Sequence, residues 1–157
     1  MVGLADLFLL LTLAVFSANI RLMAGKSRKT VLEMRLRALC RRLLRALRVR
    51  NCSVGVFLLS EAEMRRLGRK CIKKGSGHIP NVLSFAEPKR FPHPETRGKF
   101  LGEIYLNRDL RPLGERRLGR LLIHGFLHIL GYTHDKKHDT LKMEKLEKKL
   151  IKVINSN

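Results

Sequence analysis

The spacing of apolar residues changes along the chain, and each spacing predicts an element. Over residues 30–50, leucines recur at helical intervals with arginines between them, after a possible capping box of Thr30 and Glu33. The leucines are Leu32, Leu36, Leu39, Leu43 and Leu47. The pattern predicts an amphipathic helix with one buried stripe and one cationic face. A helix lying on a membrane surface would show the same pattern.

The rest of the chain alternates between strand-like and helix-like patterns. Three segments predict strands: Val54–Leu59, Asn81–Phe85 and Phe100–Leu106. Gly102, inside the third, is expected at a bulge or a close backbone approach. Ser60 and Glu63 form a second capping box, which opens a short helix ending near Arg69. Two longer helices are predicted over Leu113–Leu130 and Thr140–Ile154. Because no βαβ register repeats, the predicted class is α+β, with a small mixed sheet packed against helices.

The apolar N-terminus allows several interpretations. Leu7 to Phe16 is interrupted only by Thr12, and this length suits the core of a signal peptide. However, Asp6 and the lack of Lys or Arg before the run do not suit one. An apolar first strand or hairpin, a later start of translation, or a peripheral membrane contact would also account for it. We expect an apolar extension over residues 1–22 and a single domain over residues 23–157.

The net charge of the chain restricts the classes of partner that it is expected to bind. The 157 residues contain 33 Lys and Arg against 13 Asp and Glu, a formal net charge of +20. Such an excess predicts binding to a polyanion or to an anionic membrane. Much of it lies in Arg35, Arg37, Arg41, Arg42, Arg45, Arg48 and Arg50, and in Arg65, Arg66, Arg69, Lys70, Lys73 and Lys74. These side chains suit phosphate contacts, which carry no sequence readout, so no DNA specificity is expected. With no Trp and two Tyr, extensive base stacking is not indicated.

The three cysteines indicate the compartment. Cys40, Cys52 and Cys71 are widely spaced and form no C-x-x-C pair. This is typical of reduced thiols, without a disulfide framework or a zinc ribbon. The cysteines therefore favour the cytoplasm.

Three histidines carry the candidate chemistry. His124 and His128 are four residues apart, so both imidazoles lie on one face of a helix. Gly131 suits the end of that helix, after which the chain can return His134 to the same point. Three imidazoles that leave a position open for water are typical of a catalytic zinc site. We predict one Zn²⁺ here, although nickel, cobalt or iron would accept the same ligands.

Other interpretations of the histidines remain open. Three unrelated core histidines are the alternative to a metal site, and His138 is the nearest rival for the third ligand. His78 and His93 lie in polar or proline-containing stretches and are predicted at the surface. The spacing also matches metzincin proteases, but those carry Glu directly after the first His as the general base. Here that residue is Gly125, which disfavours a protease.

The same residues resemble a known family. The stretch from His124 to His134, H-G-F-L-H-I-L-G-Y-T-H, is similar to the H-G-x-L-H-L-x-G-Y-D-H motif of the YbeY family of bacterial metal-dependent endoribonucleases. Asn81–Phe85 resembles the family's D/N-V-L-S-F segment, and Leu101–Ile104 its L-G-D-I segment. Ala62–Met64 lies where the family has a similar helix start. The segments occur in the family's order, and the resemblance covers roughly Ser27 to the C-terminus.

The resemblance implies both a site and a task. It implies an α+β fold with the metal-bearing helix against a small sheet, and a zinc ion held by His124, His128 and His134. It also implies single-strand-specific cleavage of ribosomal RNA, notably near the 3′ end of the small-subunit RNA, and a part in ribosome quality control. Ribosomal RNA or the ribosomal subunit would be the partner.

Three departures from the family's pattern put the rate or the substrate in doubt. Thr133 replaces an Asp before the last histidine, and Pro80 replaces a Thr before the N-V-L-S-F segment. The family's upstream Arg falls on Lys74, and lysine does not reproduce bidentate phosphate binding. Arg69 could substitute for it if the loop is threaded differently. These departures favour a second hypothesis, a non-catalytic RNA- or ribosome-binding metalloprotein.

The leading hypothesis is metal-assisted hydrolysis of phosphodiesters, because a site of this kind activates water and polarises phosphoryl oxygens. Ser84 and Glu103 could orient a ligand imidazole, or they could serve only their strands. No residue is singled out by the sequence as the general base.

Overall fold

A computed structural model describes residues 20–22, 31–71, 78–88, 99–110 and 114–155. The strands are β1 (Ile20–Leu22), β2 (Cys52–Leu59), β3 (Val82–Ala86) and β4 (Lys99–Asn107). The helices are α1 (Val31–Ala46), α2 (Glu61–Cys71), α3 (Glu115–Ile129) and α4 (Lys137–Asn155). The expected α+β class, with a small sheet packed against helices, is confirmed.

The four strands form one mixed sheet in the order β1-β2-β4-β3. β1 and β2 are parallel, as are β2 and β4, whereas β3 runs antiparallel to β4. Val56 pairs with Ile104, and Ile104 pairs in turn with Ser84. This register places β3 at one edge of the sheet, where it contacts α3.

The two faces of the sheet bury different helices because side chains alternate along each strand. Val54 and Val56 of β2 face the main core, where α1, α3 and α4 pack. Phe57, on the opposite face, stacks on Tyr105 of β4 with ring centroids 4.8 Å apart, and Met64 of α2 covers this pair. Of the helices in the described ranges, three therefore lie on one face of the sheet and one lies on the other.

The leucine stripe of α1 is core, which settles the choice between protein packing and a bilayer for this face. Leu36, Leu39 and Leu43 are buried among α3, α4 and the sheet. The opposite face carries arginines, with Arg41 and Arg45 exposed to solvent. The predicted amphipathic helix is thus confirmed. Thr30, the first residue of its predicted capping box, lies outside the described residues.

The capping box at the start of α2 is also confirmed. The backbone N–H of Ser60 donates to Oε2 of Glu63 at 2.7 Å, and the Ser60 hydroxyl donates to the same oxygen at 2.6 Å. The N–H of Glu63 donates back to the Ser60 hydroxyl at 3.4 Å. These hydrogen bonds to the carboxylate lower the pKa of Glu63.

Gly102 lies at the close backbone approach that its position in a strand predicted. Its φ is +139°, and a Cβ added there would lie 2.1 Å from the carbonyl oxygen of Phe85 on β3. A side chain at this position would push β3 away from β4. Since β3 lines the histidine site described below, this glycine holds one wall of that site.

The described residues include only a small part of the N-terminal segment. The apolar run from Leu7 to Phe16 lies outside the described residues. Ile20–Leu22 form β1, which pairs with Val54–Val56 of β2. The division of the chain at residue 22 stays a prediction. Within the described part of the chain, no helix has the length and apolar character to cross a membrane.

Candidate metal centre

The end of α3 sets the geometry of the histidine cluster. Gly131 has φ +90°, and its N–H donates to the carbonyl of His128 at 3.0 Å. The N–H of Tyr132 donates to the carbonyl of Leu127 at 3.0 Å. These two bonds form a Schellman motif, which requires the left-handed conformation that glycine adopts without strain. The chain reverses here, as the position of Gly131 predicted.

The reversal brings the third histidine back to the first two. His124 and His128 lie one helical turn apart, with their Nε2 atoms 3.0 Å apart. The ring of His134 lies 5.7 Å from that of His124 and 5.0 Å from that of His128, measured between centroids. The Thr140 hydroxyl donates to the carbonyl of His134 at 3.2 Å, which ties the loop to the start of α4. One ligand atom from each of the three imidazoles lies within 4.8 Å of the others, a group that could hold a metal ion.

The remaining ring nitrogens of two histidines have partners that suit metal ligands. Nδ1 of His124 lies 2.7 Å from Oε1 of Glu147, and Nδ1 of His128 lies 3.0 Å from the carbonyl oxygen of Tyr132. Both partners accept hydrogen bonds, so the proton of each ring belongs on Nδ1 and the lone pair on Nε2. Ligand histidines typically have this arrangement. Two nitrogens bound to one tetrahedral zinc lie about 3.3 Å apart, given Zn–N bonds of about 2.05 Å, and the observed 3.0 Å is close to that separation. The residues present therefore fit a metal ion.

The electrostatics favour neutral imidazole. Partial burial lowers the pKa of His128, and the neighbouring His124 and His134 lower it further. The carbonyl of Tyr132 and the carboxylate of Glu147 act in the opposite direction without reversing the shift. The lowered pKa of His128 favours its neutral form, the form in which an imidazole nitrogen binds a metal.

The position that holds a glutamate in metzincin proteases faces the sheet in this fold. A Cβ added at Gly125 would lie 2.9 Å from Cγ2 of Ile104 and 3.2 Å from Cγ2 of Val82. There is no room for a carboxylate between α3 and the strands, nor would one point toward the histidines. Gly125 allows the close packing of helix and sheet, and the structure gives the protease hypothesis no general base at this position.

The two other histidines in the described part of the chain, His78 and His138, do not join the cluster. His138 is exposed, and its Nδ1 lies 3.8 Å from Oδ1 of Asp139, so it does not replace His134. His78 is exposed, as predicted, and lines a groove beside His124. His93 lies outside the described residues.

The two strand residues considered as imidazole partners have different surroundings. Ser84 lines the pocket that contains the three histidines. Glu103 accepts a hydrogen bond from the hydroxyl of Tyr105 at 2.6 Å, on the face of the sheet that α2 covers. This bond, together with burial, raises the pKa of Tyr105. Glu103 thus serves the packing of the second face.

Two of the positions that depart from the family's pattern are next in sequence to residues of the site, Thr133 before His134 and Pro80 before Asn81. Thr133 is exposed in the loop between α3 and α4, and Pro80 precedes β3. Arg69 is exposed in the last turn of α2. Lys74 lies outside the described residues, so its place relative to the histidines stays a prediction.

Sequence reasoning missed Glu147, the carboxylate that touches His124. Glu147 lies on α4, 23 residues after His124, with a side chain that is 26% exposed. On α4 it looks like one of several glutamates on a lysine-rich amphipathic helix. Only the docking of α4 against α3 shows its role, and no local signal in the sequence sets it apart from the other glutamates of that helix.

Comparisons with known proteins agree with this geometry. A family model described as Endoribonuclease YbeY matches residues 22–155. A protein of Chelativorans sp. named Endoribonuclease YbeY is 32% identical over 108 residues, 64% of this chain and 65% of that relative. The chain thus spans slightly less than two thirds of that relative's length. A protein of the same name from Anaeromyxobacter sp. is 30% identical over 142 residues, 85% of this chain and 71% of the relative. The solution structure of a Thermotoga maritima protein is similar with a TM-score of 0.52 at 25% identity, and covers 86% of this chain and 88% of that one.

Proposed function

Because this chain belongs to the YbeY endoribonuclease family, we propose that it is a metal-dependent endoribonuclease whose ion is held by His124, His128 and His134. The observation that carries the proposal is the set of three imidazoles within 4.8 Å of one another, two of them with Nδ1 facing an acceptor. Zinc suits three nitrogen ligands and an open position best.

Each part of the chain has a defined task in this proposal. When bound, the metal would supply Lewis acidity for water and for a phosphoryl oxygen. Glu147 orients His124 by accepting a hydrogen bond from its Nδ1–H, and the carbonyl oxygen of Tyr132 accepts the same bond from His128. β3, with Val82 and Ser84, forms the wall that faces the imidazoles.

The substrate we propose is single-stranded ribosomal RNA, near the 3′ end of the small-subunit RNA, within ribosome maturation and quality control in the cytoplasm. The support is family membership together with the charge of +20 and the exposed arginines on α1. Cations of this density hold a phosphate backbone without reading its sequence. We also propose that residues 23–157 act as one domain and residues 1–22 as an N-terminal extension, whose last three residues, Ile20–Leu22, add β1 to the sheet of the domain.

A second candidate is an RNA- or ribosome-binding metalloprotein without nuclease activity. The observation that favours it is Thr133, which stands where the family motif has an aspartate beside the last histidine. It predicts tight, salt-dependent binding of RNA that remains intact with any divalent metal.

Cleavage of a structured fragment of small-subunit ribosomal RNA by the purified full-length chain tests the proposal. Metal content is measured on the same sample, and His128→Ala and a chelated sample serve as controls. We expect cleavage by the wild type and none in either control. RNA that is bound yet intact with metal present would favour the second candidate.

A further inference from the structure

A groove continues from the histidine cluster along α3, away from His134. The pocket at the three imidazoles shares His124 and Val82 with a neighbouring groove of about 390 Å³. This second groove is lined by His78, Asn81, Val82, Arg120, Leu121, His124 and Glu147. A strand of nucleic acid that reaches the imidazoles could therefore continue past His124 without leaving the surface.

Among the described residues that line this groove, Arg120 is the one side chain with a permanent positive charge. It lies four residues before His124 and eight before His128, so the three side chains share one face of α3. One turn of helix separates Arg120 from His124, about 6 Å along the axis. Arg120 is exposed, and it makes no hydrogen bond or ion pair with any residue in the described part of the chain.

The groove suits an anion despite its one carboxylate. Oε1 of Glu147 lies 2.7 Å from Nδ1 of His124, so this carboxylate hydrogen-bonds to that ring, and it forms no ion pair with Arg120. The remaining polar lining comes from Arg120, His78 and Asn81, which offer a guanidinium, an imidazole and an amide. A guanidinium binds a phosphate through two parallel hydrogen bonds, which a lysine does not reproduce.

We propose that Arg120 forms a phosphate subsite for the RNA backbone, one turn of α3 away from the metal centre. This inference rests on the proposed function, because it takes RNA as the ligand. The subsite holds a phosphate beside the one that is cut, and so positions the strand across the three imidazoles. Arg120 is a binding residue here, and it does not touch the reacting phosphate.

The test compares two arginines on the same helix. Arg116 is exposed one turn before Arg120 and lines neither pocket, so Arg116→Gln removes the same charge without removing the contact. The full-length, metal-loaded protein is titrated on ice into a labelled single-stranded RNA, and a gel checks that the RNA is still intact. The titration is repeated over a range of salt concentrations.

Arg120→Gln is expected to weaken binding about tenfold and to lower the slope of log K against log salt by about 1, as the loss of one phosphate contact does. Arg116→Gln should change both quantities much less, and Arg120→Lys should restore part of the affinity. In cleavage assays the loss should appear in KM rather than in kcat. Equal effects of the two glutamine variants would overturn the subsite.

Failure of the subsite differs from failure of the proposed function. If the wild type binds RNA without cutting it and Arg120→Gln still binds about tenfold less tightly, the nuclease proposal fails and the subsite stands. If the wild type cuts RNA and both glutamine variants behave alike, the nuclease stands and the subsite fails.

Discussion

The two glycines in the middle of α3 make opposite predictions for the same substitution. Gly125 packs against the sheet, where an added Cβ would lie 2.9 Å from Cγ2 of Ile104. Gly119 faces α4, where an added Cβ would lie 3.4 Å from Cδ1 of Ile154. Cγ2 of Ile104 is bonded to the branched Cβ, so it cannot move aside unless the side chain changes its χ1 rotamer. Cδ1 of Ile154 is the free end of its side chain and can move more easily. Gly125→Ala should therefore strain the contact between helix and sheet, and Gly119→Ala should not.

The magnitude follows from two terms. Replacing a helical glycine by alanine stabilises a helix by about 0.8–1.0 kcal/mol, and this gain applies equally to Gly119 and Gly125. Overpacking adds a cost of about 1–3 kcal/mol at Gly125 alone. Gly119→Ala should then raise the free energy of unfolding by up to about 1 kcal/mol. Gly125→Ala should be less stable than Gly119→Ala by about 1–3 kcal/mol.

Urea unfolding of the wild type and of the two variants measures these differences, and thermal melting checks them. A domain of this size shifts by about 2–4 °C per kcal/mol, so the two variants should melt several degrees apart. Both variants gain the same helix propensity, so this gain cancels when the two are compared. Any remaining difference in stability is then caused by the contact of Gly125 with Ile104. If Gly125→Ala proves as stable as Gly119→Ala, the close packing of α3 on the sheet is refuted.

Four further predictions test the site and the elements that support it. Glu147→Gln should lower zinc affinity about 10–100-fold in a competition assay with a chromophoric chelator, while Glu144→Gln, exposed one turn earlier on α4, should leave it unchanged. Ser60→Ala should cost about 1 kcal/mol in urea unfolding. Since folding lowers the pKa of Glu63 from 4.5, its stabilisation is present above pH 4.5 and lost as pH falls through the folded pKa. Wild type and Glu63→Gln should therefore differ at pH 7 and converge as the pH falls through the folded pKa of Glu63, and a constant difference would contradict the capping role. Gly102→Ala should cost more than about 3 kcal/mol and lower the yield of folded protein, because it combines a positive φ with a clash against β3; normal stability would be incompatible with that contact.

The elements with strong local patterns were predictable from the sequence. The alternation of side chains predicts β2, and the helical spacing of the leucines predicts α1 and its buried face. Both patterns arise because each element buries one of its sides. The start of α4 was placed too late, at Thr140 instead of Lys137. Its first turn is polar and exposed, so no apolar residue marks it. The Thr140 hydroxyl donates to the carbonyls of His134 and Lys136, which lie just before the helix.

The histidine cluster could be predicted because its spacing is local. His124 and His128 share a helix face, and Gly131 allows the reversal that returns His134. Glu147 could not be predicted in this way, because it reaches His124 only through the docking of α4 on α3. Side chains that meet through tertiary packing leave no periodic trace in the sequence.

The measurement that tests the account most directly is RNA cleavage as a function of metal occupancy. Full-length protein stripped of metal is reloaded in steps with zinc, and bound metal and cleavage rate are measured on each sample, with His128→Ala alongside. We predict that the rate rises in proportion to bound metal, levels off at one ion per chain, and stays at background in the variant. Cleavage by metal-free protein at the same rate, or cleavage that persists in His128→Ala, would contradict the account.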